Sequence, residues 1–101
     1  MTEVFIRPGQ VLMREGGRGS EVLFISSGTA VLERDGQRHT TVGGGDVVGE
    51  LALLTGDRRS ATVVAVTPMN ALVCTTSEFA SLRDEIPEFD RAILGLAVSR
   101  L

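Results

Sequence analysis

The sequence predicts a mainly β domain closed at its C-terminal end by helices, and three observations carry that prediction. Turn-forming residues punctuate the first two-thirds of the chain at short, regular intervals, the spacing expected of a sandwich or barrel. The segments between them are rich in Val, Leu, Ile, Thr and Phe, and twelve of the 101 residues are Val. Branching at Cβ costs Val rotamer freedom in a helix and suits it to a pleated surface. From Ser77 onward the apolar period lengthens from that of a strand to that of a helix. A chain of this length supports one domain, which we divide into a β portion (1–76) and a helical portion (77–101).

Turns are expected at Pro8-Gly9, Gly16 to Gly19, Ser26 to Gly28, Asp35-Gly36, Gly43 to Gly45, Thr55 to Asp57 and Thr67-Pro68. Val11 to Met13 forms a short strand. Val22-Leu23-Phe24-Ile25 is apolar on both faces, as in a strand buried between layers. Thr29 to Arg34 and Gln37 to Val42 flank Asp35-Gly36, whose residues tolerate the positive φ angles of a type I′ hairpin turn. Two further strands, Ala61 to Val66 and Ala71 to Thr75, join around Pro68. Ser77 is expected to cap a helix over Glu78 to Leu82, and Pro87 to open a second helix. Phe89, Ile93, Leu96, Ala97 and Leu101 then form one apolar stripe, suited to core, a dimer seam or a lid over a ligand. The stripe still runs where the sequence stops, as in a helix that continues or docks on a partner.

Composition excludes several chemistries. Ten basic against thirteen acidic residues give a net charge of −3, the wrong sign for a nucleic-acid partner. All ten basic residues are Arg, which removes Schiff-base lysines, a P-loop lysine and Ser-Lys catalysis. One Cys (Cys74) and one His (His39) leave no intrachain disulfide, zinc ligand set or nucleophile–histidine triad of usual spacing. Neither an apolar span nor a signal-peptide pattern occurs. We therefore expect a cytoplasmic, non-enzymatic protein with a small-molecule partner. Cys74 reads as a packed thiol and His39 as a strand-surface residue.

The stretch Gly49 to Val63 carries the chemistry. A glycine-rich turn leads into a short helix-competent run, Glu50 to Leu54, whose start offers unpaired N–H groups. Arg59-Ser60 follows with a two-pronged cation and a hydroxyl. Glu50 repels phosphate but accepts from a sugar hydroxyl. Amides, Arg, Ser and Glu together describe a phosphate joined to a ribose.

This pattern resembles the phosphate-binding cassette of the cyclic-nucleotide-binding domain family. Gly49-Glu50-Leu51-Ala52-Leu53, a short loop and Arg59-Ser60-Ala61 match its cassette. Pro8-Gly9-Gln10-Val11-Leu12, Glu15-Gly16, Leu23-Phe24-Ile25 and Ser27-Gly28 are similar to its early strands and turns. The resemblance implies an eight-stranded β-roll of jelly-roll type, with a short helix in the cassette and helices at the C-terminus. It implies that Arg59 pairs with the cyclic phosphate, Glu50 holds the ribose 2′-hydroxyl and Gly49 lets the backbone approach. Amides of Leu51, Ala52 and Ala61, with the Ser60 hydroxyl, complete the cradle. Val47, Val48, Val63 and Leu32 form the apolar wall, and Arg58 is left in solvent. With Ser60 after Arg59, the resemblance implies cyclic AMP ahead of cyclic GMP. It also implies signalling through movement of the helices after Thr76, toward an output domain or a second copy. The alternative is the same fold acting as a ligand-free interaction or dimerisation module.

Overall fold

The computed structural model describes residues 1–100. Eight strands form two four-stranded antiparallel sheets: β1 (Thr2–Ile6), β2 (Val11–Met13), β3 (Glu21–Ser27), β4 (Thr29–Arg34), β5 (Gln37–Gly43), β6 (Val47–Val48), β7 (Thr62–Ala65) and β8 (Met69–Thr75). The sheet orders are β1-β8-β3-β6 and β2-β7-β4-β5. Helix α1 (Glu50–Thr55) interrupts the strands between β6 and β7, and α2 (Thr76–Glu85) and α3 (Pro87–Arg100) follow β8. The expected mainly β roll with C-terminal helices is the observed architecture.

β3 shows why its run is apolar on both faces. Successive side chains alternate. Leu23 and Ile25 enter the core between the sheets, with Ile6, Val48, Val63 and Met69. Val22 and Phe24 face the opposite way, into a second cluster with Cys74, Phe79, Phe89 and Ile93. That cluster glues α2 and α3 to the outer face of the first sheet. Phe89 meets Phe24 at a ring-centroid distance of 5.9 Å and Phe79 edge-on at 6.0 Å, within the favourable range for aromatic pairs.

Several boundaries differ from expectation. The strand expected over Ala61 to Val66 is Thr62–Ala65, and β8 begins earlier than expected, at Met69. The cap of α2 is Thr75, not Ser77: Thr75 Oγ1 accepts from the Glu78 amide (3.2 Å) and Glu78 Oε1 accepts from the Thr75 amide (3.0 Å). A capping box needs its Glu three residues after the hydroxyl, and only Thr75 stands in that relation to Glu78. The Asp35-Gly36 turn has both residues at positive φ, 52° and 75°, and pairs Arg34 with Gln37.

The α3 stripe is mostly core. Ile93 and Ala97 are buried, and Phe89 and Leu96 are partly buried; Leu101 lies outside the described residues. Burying one such large apolar side chain contributes roughly 1.5–3 kcal/mol, enough for Ile93 to anchor the helix. Among the described residues, no helix is long and apolar enough to cross a membrane.

Candidate functional site

α1 is a six-residue helix bracketed by glycines. Gly49 caps its start at φ 93° and Gly56 its end at φ 75°, with the Gly56 amide donating to the Ala52 carbonyl. Both angles lie in the left-handed region, where glycine carries no Cβ penalty. A Cβ on Gly49 would stand 2.5 Å from Arg59 Nη1 and 2.6 Å from Met13 Cε. Glycine here therefore serves two needs, the turn and the close approach of the guanidinium.

Arg59 is held by backbone rather than by a carboxylate. Its Nη1 donates to the Gly49 carbonyl (2.8 Å) and its Nη2 to the Glu21 carbonyl (2.7 Å). The Arg59 amide donates to the Gly17 carbonyl, and the Arg59 carbonyl accepts from the Gly16 amide, both at 2.8 Å. Gly19 lies against the guanidinium, since a Cβ there would stand 2.9 Å from Arg59 Cζ. Two of the five guanidinium N–H groups are thus engaged, and the fork is positioned before any ligand arrives. Burial pulls the Arg59 pKa below its ordinary value, and the Glu21 and Glu50 carboxylates oppose that shift.

Glu50 lies at the opposite extreme of exposure from most carboxylates, at 0% accessible. Its Oε1 accepts from Arg100 Nη1 at 2.7 Å, and its Oε2 is buried without a partner. The same Arg100 nitrogen donates to the Val47 carbonyl at 2.6 Å.

A cavity of about 530 Å³ brings these parts together. Gly49, Glu50, Leu51, Ala52, Arg59, Ser60 and Ala61 all line it, and so do Val48, Val63 and Leu32. Val47 does not. Next to Val48 on β6, it faces the other way by strand alternation and packs with the helices. Arg58 is exposed, donates to the Gly16 carbonyl at 3.1 Å and lines a separate hollow with Arg18 and Asp57. The two adjacent arginines therefore serve opposite sides of the chain.

Sequence reasoning missed four features. Arg34 and His39 both stand on the cavity wall; His39 is the exposed strand residue expected, and the register shift between Leu32 and Glu33 on the paired strand interrupts simple alternation on β5 beside it. Gly19 and Arg100 were also missed. A signal for Arg100 existed, because it follows Ile93 by seven and so continues the buried face of α3. Among the described residues, no group of three His, Cys, Asp or Glu side chains could hold a metal ion. Cys74 is buried, and burial first, then the Glu78 charge, raises its thiol pKa, a poor setting for a nucleophile.

This arrangement has relatives. The family model for the cyclic nucleotide-binding domain matches residues 3–85. The chain belongs to this family. The human potassium/sodium hyperpolarization-activated cyclic nucleotide-gated channel 3 is 35% identical over 99 residues, which cover 98% of this chain and 13% of the channel. The rabbit (Oryctolagus cuniculus) channel 4 is 34% identical over 99 residues, 98% of this chain and 8% of that protein. The chain thus spans a small part of the length of these relatives. Among solved structures, the regulatory domain of Toxoplasma gondii PKA crystallised with cAMP superposes with a TM-score of 0.74 at 32% identity, covering 79% of this chain and 32% of that one. The regulatory subunit of a cAMP-independent protein kinase A from Trypanosoma brucei superposes with a TM-score of 0.78 at 28% identity, covering 90% of this chain and 36% of that one.

Proposed function

We propose that the cavity beside α1 binds a cyclic nucleotide, cyclic AMP ahead of cyclic GMP, and reports its occupancy through α2 and α3. In this reading Arg59 pairs with the cyclic phosphate and Glu50 takes the ribose 2′-hydroxyl. The amides of Leu51, Ala52 and Ala61 and the Ser60 hydroxyl surround the phosphate, and Val48, Val63 and Leu32 give the apolar wall. The observation that carries the reading is that Glu50 and Arg59, nine residues apart, border one cavity. Ser60 and the similarity to a PKA regulatory domain crystallised with cAMP support the order of bases. The domain acts by binding rather than by catalysis, and we place it in the cytoplasm. Its output passes through the C-terminal helix to a further domain or a second copy.

Titration calorimetry with cyclic AMP and cyclic GMP tests this. Binding of both, with cyclic AMP tighter, is the expected result. A second reading, a ligand-free interaction module, has one observation in its favour: Glu50 Oε1 is already paired with Arg100. Absence of heat and of any thermal shift with either nucleotide would establish that second reading instead.

A further inference from the structure

Among the described residues three arginines line the cavity, and Arg34 differs from the other two. Arg59 is bonded to two backbone carbonyls, and Arg100 to Glu50. Arg34 forms no ion pair among the described residues, and its Nε is buried without a hydrogen-bond partner. A buried N–H left unpaired is expensive, and such a group calls for an acceptor. β4 sets its place. Side chains alternate along a strand, so Leu32 and Arg34 share a face, and both border the cavity. Leu32 also packs against the core between the sheets, and Arg34 stands one step further out, roughly 7 Å along the strand. The opposite strand is bulged at this end. Leu32 pairs with Thr40 and Glu33 with Arg38, which leaves His39 without a strand partner. Bulges are common beside ligand sites because they re-aim side chains.

We propose that Arg34 reads the base of the bound nucleotide, through the edge that carries the 6-keto group of a purine such as guanine. The proposal rests on the cyclic-nucleotide reading of the cavity and adds a specificity-determining residue to it. In that reading Arg59 takes the phosphate and Glu50 the ribose, both beside the start of α1. The base is the part that remains. It lies along Leu32 and Val63, the apolar wall that leads out to Arg34. A guanidinium carries only donors, set in a rigid fork. Guanine offers the matching pair of acceptors, N7 and O6, side by side on one edge. Adenine has an amino donor in place of O6, so the fork there meets one acceptor and one donor. Arg34 therefore gives cyclic GMP a contact that cyclic AMP lacks. It narrows the lead of cyclic AMP, and its removal widens that lead.

Cyclic IMP separates this edge from the rest of guanine, because hypoxanthine keeps N7 and O6 and lacks the 2-amino group. Cyclic AMP, cyclic GMP and cyclic IMP are titrated by calorimetry into the wild type, Arg34→Ala and Arg34→Gln, each checked for folding by its melting curve. The wild type is expected to bind cyclic IMP about as tightly as cyclic GMP. Arg34→Ala is expected to weaken both by about 5- to 150-fold, the worth of one bidentate base contact. Cyclic AMP stays within about 3-fold of its wild-type affinity, less than the smallest of those losses. Arg34→Gln sets a donor beside an acceptor, the pair that matches adenine, and shifts the preference further toward cyclic AMP. A loss for cyclic AMP as large as for the other two would put Arg34 on the phosphate, and no change for any would put it outside the ligand. Either result overturns the proposal and leaves the cyclic-nucleotide reading standing. A loss confined to cyclic GMP overturns it as well, since the 2-amino group would then be what is read. Absence of binding of all three by the wild type overturns the reading itself, and the proposal with it.

Discussion

The two ends of β3 and its neighbours solve different problems. Between the sheets, Leu23, Ile25, Val48, Val63 and Met69 pack without a polar atom among their side chains, and nothing there needs a partner. At the cassette a few residues away, a guanidinium hangs from two backbone carbonyls and a buried carboxylate keeps one oxygen unpaired. The first region stabilises; the second is held in a costly state by the first. Buried polar groups without partners are expensive, and a fold retains one at a ligand site because the rigid sheets fix its surroundings.

Substitutions that separate the regions sharpen this contrast. Met69→Ala, at a fully buried position between the sheets, is expected to cost about 2–5 kcal/mol in a denaturant melt. The molecules that stay folded keep their cyclic AMP affinity. Gly49→Ala reverses the pattern. Its φ of 93° and the 2.5 Å approach to Arg59 Nη1 force the guanidinium aside, with about 1–3 kcal/mol of backbone strain. Calorimetry is expected to show binding lost while circular dichroism still reports the roll. Thr75→Ala touches neither region directly. It removes the α2 capping box and lowers the melting free energy by about 1 kcal/mol. A larger effect on binding than on stability would mean that α2 is coupled to the cavity more tightly than its packing indicates.

The legible parts of this molecule are the local ones. Asp35-Gly36 sets its hairpin by backbone preference, Pro87 opens α3 by its fixed φ, and the cassette shows its chemistry in consecutive residues. What escaped depends on contacts across the chain or on competition between neighbours. β6 is two residues long, too short for a period, so the outward turn of Val47 was invisible. Ser77 and Thr75 are both competent caps, and only the position of Glu78 decides between them. Gly19 matters because Arg59, forty residues later, lies against it. Arg100 reaches Glu50 across fifty residues; helical spacing places it on the right face, but not against a particular carboxylate.

The central claim is that Arg59, and not its neighbour, faces a nucleotide phosphate. Calorimetric titration of Arg59→Ala and Arg58→Ala with cyclic AMP, counted per folded molecule, tests it most directly. The account predicts a loss of about 2–5 kcal/mol for Arg59→Ala, as for one partner of a desolvated charge pair. For Arg58→Ala it predicts a change within about 1 kcal/mol, as for an exposed charge. Equal losses from the two, or an Arg59→Ala protein that binds like wild type, would contradict it.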